Sequence, residues 1–366
     1  MNLASTFPHR AAIVNIDEEA NGPSPRTLRQ NILMPSVRAI APGRVNLIGD
    51  HTDYTGGFCL PMAIDMATTI TGERTDDGVV HLISAAEPNP VSIPLDGIRD
   101  PASATPPWGR YVAGVVSQLR PTAGFRGRAD TTIPIGAGLS SSAAFEVALA
   151  LALGFQGSVL ELARLCQRAE HVASGVPCGI LDQLSSAGGR EGKAMIMNCH
   201  DLSLTYVDVP ENADIVVVHS GQERTLSGSE YPTRVAQCAA AESIIGPLRL
   251  ATLAAAASIE DPVVSRRARH VVSENQRVHE FATALASGQL GDAGSIMTQS
   301  HRSLRDDYET STPIVDRLVD TLITTPGVFG ARITGGGFGG CVVALTEPGA
   351  LDIGWTVRPA AGARLL

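Results

Sequence analysis

Residues 134–153 read PIGAGLSSSAAFEVALALAL, with glycines at 136 and 138 and serines at 140, 141 and 142. The start of a helix presents unpaired N–H groups and a partial positive charge of roughly half a unit, which suits phosphate. Gly136 and Gly138 let the backbone approach such a group without a Cβ in the way. The hydroxyls of Ser140, Ser141 and Ser142 can cap the helix, donate to phosphate or ligate Mg²⁺. An ordinary serine N-cap is the competing reading, and it needs only one serine. The common phosphate loop, G-x-x-x-x-G-K-[ST], carries a lysine. None stands here, and Lys193 is the only lysine in the chain. If phosphate binds, backbone amides must do most of what that lysine does.

A second constellation is APGRVNLIGDHTDYTGG, Ala41 to Gly57, where Arg44, Asp50, His51, Asp53 and Tyr54 crowd a short loop between apolar runs. Carboxylates accept hydroxyl protons while Arg and His donate, so the set suits a polyol such as a sugar. A solvated turn with a few charges is the plainer reading. A metal site from Asp50, His51 and Asp53 ranks below both, since ligands within four residues rarely close a shell. In GVPCGILDQLSSAGG, Asp182 sits at a loop–helix junction, where a carboxylate is more often a cap than a catalyst. TGGGFGG holds five glycines in seven residues, more than a hairpin requires, which favours close packing against a loop or ligand.

These residues need a frame. The chain has 366 residues, enough for a large core and two domains, with 44% hydrophobic and 18% charged residues. A net charge of −9 argues against nucleic acid or an anionic membrane as partner. The six cysteines are scattered without a C-x-x-C, which fits reduced thiols in a cytoplasm. The N-terminal residues lack an apolar core, so no signal peptide is expected. The greasy stretch from Ala143 to Phe155 is too short to span a bilayer.

Residues 1–38 read as irregular, with one helix near Thr27–Leu33. VRAIAPGRVNLIGDHTDYTGG reads strand, turn, strand, loop, and MATTITGER and GVVHLISA alternate like antiparallel strands. PPWGRYVAGVVSQLR is helical after a proline start, and GRADTTIP is a strand entering the glycine–serine loop. Ala143–Gly154 is apolar all round and predicts a buried helix. SVLELARLCQRAEHVASG predicts an amphipathic helix ending at Gly175. KAMIMNC and DIVVVHS are strands, with a boundary near Leu202–Glu211 between them. After Tyr231 the chain turns helical, and GVFGARITGGGFGGCVVALTE closes it as strand, glycine turn, strand. Strands and helices fall in blocks, so the expected class is α+β.

Together the stretches resemble the galactokinases of the GHMP small-molecule kinase superfamily. GRVNLIGDHTDYTGG is similar to their N-terminal signature, PIGAGLSSSAA to the superfamily's lysine-free ATP loop and ITGGGFGG to its third glycine motif. PPWGRYVAGV, VPCGILDQ, SGSEYPTRVAQC, RRARHVVSEN and MTQSHRSLRDDYE extend the likeness from about Ala39 to the C-terminus. The resemblance implies a two-domain GHMP kinase fold. A ribosomal S5 domain 2-like domain (39–205) would carry the sugar and ATP loops, with a ferredoxin-like α/β domain (206–366) after it and the active site in the cleft between. It implies transfer of the ATP γ-phosphoryl group to the anomeric hydroxyl of α-D-galactose. Asp182 then matches the catalytic base and Arg44 its basic partner. Asp50, His51, Asp53, Gly179 and Tyr231, with Asp182, match sugar contacts. Gly136, Ala137, Gly138, Leu139, Ser140, Ser141 and Ser142 match the triphosphate loop, Trp108 a residue near the adenine, and Ser142 with Glu170 the Mg²⁺ ligands. A cytoplasmic monomer that binds a sugar and ATP, and neither nucleic acid nor membrane, is the expectation.

Two positions depart from the family's pattern. Asp50 stands where Glu is usual, one methylene shorter, which bears on the choice of sugar. Asn198 stands where Asp is common. A GHMP kinase acting on another small-molecule acceptor, and a non-catalytic galactose and ATP sensor, are the alternatives. The D-H-T-D-Y stretch with Tyr231 speaks against the first, and the intact GLSSSAA with Asp182 against the second.

Overall fold

The computed structural model describes residues 36–134, 136–175, 178–222 and 230–366. The helix expected near Thr27–Leu33 lies outside the described residues.

The strands are β1 (Val37–Ile48), β2 (Phe58–Thr75), β3 (Val79–Ser84), β4 (Glu87–Pro94), β5 (Gly124–Thr131), β6 (Lys193–Asn198), β7 (Ser203–Asp208), β8 (Asp214–His219), β9 (Val328–Ile333), β10 (Cys341–Thr346), β11 (Trp355–Val357) and β12 (Arg364–Leu365). The first sheet runs β12-β1-β2-β5-β3-β4, with β6 pairing β2 and β7 pairing β6. The second is antiparallel, in the order β11-β8-β10-β9. The chain crosses between the sheets after Asp208, and β12 returns to pair with β1. The helices are α1 (Gly109–Leu119), α2 (Ser141–Ala152), α3 (Val159–Ser174), α4 (Leu181–Gly188), α5 (Glu230–Ile245), α6 (Leu253–Ala257), α7 (Pro262–Ala286), α8 (Leu290–Asp306) and α9 (Pro313–Ile323). The class is α+β, as the blocks of strand and helix predict.

Local chemistry sets most of these ends. Ser158 and Glu161 form a reciprocal capping box at the start of α3, and Gly175 closes it in a left-handed conformation. Asp261 caps α7, with Pro262 in its first turn. The buried α2 fits its apolar sequence: Ala143, Ala144, Val147, Ala148 and Leu149 are wholly buried.

Two sequence expectations change. The turn expected at APG is a bulge: β1 runs unbroken from Val37 to Ile48, and its register against β2 shifts between Pro42 and Arg44. The bulge presses the strand onto the glycine–serine loop. Arg44 N donates to Leu139 O at 3.1 Å, and a Cβ on Gly43 would come within 2.6 Å of that same oxygen. Secondly, β2 and β3 are not partners, because β5 lies between them, antiparallel to one and parallel to the other. α8 falls within the stretch expected to be helical, but its bounds are not marked in the sequence, because its buried face carries Ser300 and His301 among Leu290, Ala293, Met297 and Leu304, which masks the apolar period.

One core spans both sheets. Val45, Leu47 and Leu60 of the first pack with Ile215, Val217 and Val343 of the second and with Phe281 and Met297 of α7 and α8. The sugar-type loop that follows β1 therefore rests on elements from the far end of the chain.

Candidate active site

The glycine–serine loop enters α2 through three left-handed residues: Gly136 at φ 78°, Gly138 at φ 71° and Ser140 at φ 59°. The first two need glycine for this; Ser140 adopts it against the ordinary preference of an L-residue. Ser140 occupies the N-cap position of α2, yet its side chain makes no capping bond. Its hydroxyl instead donates to Asp182 Oδ2 at 2.5 Å. The plain serine-cap reading fails here, and the first backbone N–H groups of α2 are left without that partner.

Asp182 is not a cap either. It stands in the first turn of α4, and Arg44 grips its other oxygen, Nε at 2.7 Å and Nη2 at 2.6 Å from Oδ1. Arg44 Nη1 also donates to Gly138 O at 2.7 Å. One guanidinium thus ties the carboxylate to the glycine loop. The Arg44 side chain is 8% exposed and that of Asp182 35%, so the carboxylate faces the open side of the pair.

Behind Ser142 lies an acidic group. Ser142 Oγ donates to Glu170 Oε1 at 3.1 Å, and Gln183 Nε2 donates to Glu170 Oε2 at 2.9 Å. Burial, and then the charge of Asp182, raise the Glu170 carboxyl above its usual range. Glu146 is fully buried beside it, and burial followed by Glu170 pushes it well higher still. A hydroxyl and a carboxylate together are hard oxygen donors of the kind Mg²⁺ takes, few in number because phosphate and water supply the rest. Both residues fit that ion.

The second constellation forms the loop after β1. His51 sits there at φ 64°, its ring 5.7 Å from Tyr231 and 4.7 Å from Tyr308. Its Nδ1 is 3.1 Å from the Tyr54 hydroxyl, which bonds in turn to the Tyr308 hydroxyl. Asp53 faces Gly179 so closely that a Cβ there would lie 2.2 Å from Asp53 Oδ2. Burial, then the Asp50 carboxylate, raise the Asp53 carboxyl to about 6, with a small further contribution from Asp182. Asp53 therefore sits against the turn that leads into α4, the helix that carries Asp182.

Residues the sequence did not single out hold this loop from behind. Glu274 Oε1 accepts from Gly49 N at 3.0 Å, and Asn275 Oδ1 accepts from Phe58 N at 2.8 Å, so one turn of α7 fastens both ends. Arg332 of β9, completely buried, donates through Nη1 to Leu47 O at 3.1 Å and through Nη2 to Asp50 Oδ2. Arginine inside the apolar run GVFGARITG was the available signal, since a buried charge needs a partner. His270 Nε2 lies 3.2 Å from the Asp50 carbonyl oxygen.

Arg44, Gly138, Ser140 and Asp182 thus meet at one point; Ser142 and Glu170 meet beside it; and His51, Asp53, Gly179 and Tyr231 gather across from it. Trp108 stands apart from these contacts. It precedes α1, donates to Asn89 O at 3.0 Å and packs edge-on to Phe145 of α2.

Comparison with known proteins gives a consistent picture. The galactokinase galactose-binding signature matches residues 34–74, the GHMP kinases N terminal domain residues 110–190 and the GHMP kinases C terminal domain residues 281–353. Galactokinase of Bos taurus is 41% identical over 333 residues, 86% of this chain and 85% of the relative. Galactokinase of Chloroflexus aggregans is 41% identical over 337 residues, 87% and 86% of the two chains. The crystal structure of Lactococcus lactis galactokinase complexed with galactose superposes with a TM-score of 0.82 at 30% identity, covering 90% of this chain and 95% of that one. Methanococcus jannaschii mevalonate kinase shares the fold, with a TM-score of 0.62 at 21% identity over 88% and 98% of the two chains.

Proposed function

The chain belongs to the galactokinases, a branch of the GHMP kinases, and from that premise we propose what each part of its site does. The protein is an ATP-dependent sugar 1-kinase: it transfers the γ-phosphoryl group of ATP to the anomeric hydroxyl of α-D-galactose, giving galactose 1-phosphate and ADP.

The observation that carries the residue roles is the junction at Asp182. A single carboxylate is tied by Arg44 and Ser140 to the glycine–serine loop, and Asp53 packs the sugar loop against Gly179, three residues before it. An acceptor hydroxyl between the two would meet a base on one side and a phosphate cradle on the other. Phosphoryl transfer depends mainly on such positioning and on charge stabilisation.

In this reading Asp182 accepts the anomeric proton, and Arg44 offsets negative charge on the transferring group. Ser140 holds Asp182 until substrates arrive. Backbone N–H groups of residues 136–142 cradle the phosphates, and their left-handed glycines aim them. Ser142 and Glu170 would hold Mg²⁺, which would supply positive charge to offset that of the bound phosphates. His51, Asp53, Gly179 and Tyr231 bind the sugar, and Trp108 borders the adenine. The residues through about 205 form the sugar- and ATP-loop domain, and those from 206 the ferredoxin-like one. The protein acts as a cytoplasmic monomer. Its six cysteines are free thiols, which suits a reducing compartment, and among the described residues no helix is long and apolar enough to cross a membrane.

The test is ADP release with Mg-ATP and a panel of hexoses. Galactose should turn over well ahead of its epimers. Almost no ADP with any sugar would favour the sensor reading, and strong preference for a different acceptor would move the substrate.

A further inference from the structure

The assignment of Asp50 rests on the galactokinase reading and refines it. Its carboxylate is heavily committed to the protein. Oδ1 accepts from Asn46 Nδ2 at 3.0 Å and from Gly335 N at 3.1 Å, and Oδ2 accepts from Arg332. An ionised carboxylate offers about four acceptor sites, so three are taken by the chain itself, on a side chain 7% exposed. Arg332 is wholly buried, and its other carboxylate neighbour, Glu274, is 4.0 Å away and already bonded to Gly49 N, Ser300 and Arg277. Asp50 is therefore the near counter-charge of Arg332.

The partners of Asp50 lie on two pieces of chain far apart in sequence. Asn46 is in β1, Arg332 in β9, and Gly335 begins the third glycine turn. Thr334 adds a bond from its hydroxyl to Asn46 O at 2.8 Å. The carboxylate thus pins the third glycine turn to the root of the sugar loop. Asp53 differs: it packs against Gly179, just before the helix that carries Asp182.

We propose that Asp50 is a positioning residue that clamps the third glycine turn and Arg332 to the sugar loop and does not itself contact the sugar hydroxyls.

A chemical double-mutant cycle separates contact from placement. Dissociation constants of galactose and of its 2-, 3-, 4- and 6-deoxy analogues are measured by calorimetry for the wild type and D50N, with turnover of galactose followed in parallel. A clamp predicts that D50N weakens every sugar by the same factor, about tenfold and equal within about twofold across the series, the tolerance expected of non-contacting groups. It also predicts kcat at saturation within a few-fold of wild type, whereas simple loss of folded protein would lower kcat and leave affinity alone. If the D50N factor collapses toward one on a single deoxy sugar, Asp50 touches that missing hydroxyl and the proposal is wrong. D53N should show that collapse. Should D50N fail to fold, Asn46→Ala keeps the ion pair and loosens the clamp, so a smaller uniform factor supports the proposal. A gain confined to galactose with one particular hydroxyl overturns it. Wild-type protein that binds galactose without turning it over would count against the kinase reading while leaving the cycle intact.

Discussion

The two sides of the site are held in place by opposite means. At the catalytic junction, Arg44, Ser140 and Asp182 come from one sheet and its helices, and the carboxylate stays 35% exposed against 8% for the arginine. The sugar loop is held from behind, by Glu274, Asn275 and Arg332 of α7 and β9, with Glu274 and Arg332 fully buried. The separations in sequence are 138 residues for Arg44–Asp182 and 282 for Asp50–Arg332. A base that must meet substrate cannot be enclosed. A loop that must present His51 and Asp53 at a fixed height can be, and buried charges fix it firmly because each would be costly alone. Damage at the first side should therefore strike the rate, and damage at the second the fold and the affinity.

The largest expected effect is on the catalytic side. Asp182→Ala removes the acceptor of the anomeric proton, and positioned general-base catalysis contributes about 10² to 10⁴ in rate. Steady-state turnover should fall by at least that range while calorimetry still detects ATP. Near-normal turnover would take Asp182 out of the base role and leave the junction with orientation alone.

Next comes the anchor of the loop. Glu274 is held as an anion against burial by Arg277, then His270 and Arg332, which bring its carboxyl down to about 2. Glu274→Gln leaves Arg277 without its counter-charge, a loss of about 3–5 kcal/mol by analogy with other broken buried pairs. Urea unfolding should show the drop, with kcat at saturating sugar much less affected than for Asp182→Ala. An unchanged midpoint would mean that the buried network does not carry the loop.

The same contrast decides which features are legible in the amino-acid sequence. The glycine–serine loop, the D-H-T-D-Y stretch and Asp182 are short, local patterns whose chemistry follows from residue type, so they stand out directly. The direction of Ser140 does not, because its left-handed backbone turns the hydroxyl away from a cap and toward Asp182. Nor does the clamp, since Glu274 lies inside an ordinary amphipathic helix and its partner Gly49 is 225 residues away. His270 offers no partner pattern in sequence; in the fold it joins Ser303 to the Asp50 carbonyl. Cys59 and Cys199 look scattered, yet their sulfurs lie 3.2 Å apart because β2 and β6 pair there. Strand pairing across long separations is not written in local periodicity, which is also why β5 slips between β2 and β3 without a sequence signal.

The smallest effect expected is a pH dependence that pulls the two sides apart. Burial, then the Asp50 carboxylate, raise Asp53 to about 6. An acid raised on folding binds more protons folded than unfolded between its usual value near 3.8 and about 6, so its protonation favours the folded state as pH falls. His270 and His301 run the other way. Burial lowers both from 6.5 to about 4, so the stability of their neutral forms is complete above 6.5 and is lost as pH falls toward 4. Sugar binding needs Asp53 ionised to accept hydroxyl protons, so kcat/KM for galactose should drop about fourfold between pH 7 and 5.5, as one carboxylate near 6 protonates. That loss should reverse fully on returning to pH 7, because in this window the Asp53 and histidine contributions to stability oppose each other. A flat kcat/KM down to pH 5 would mean that Asp53 does not face the sugar, since kcat/KM follows the ionisations of the free enzyme. D53N checks this independently, since galactose affinity should then stay intact in that variant.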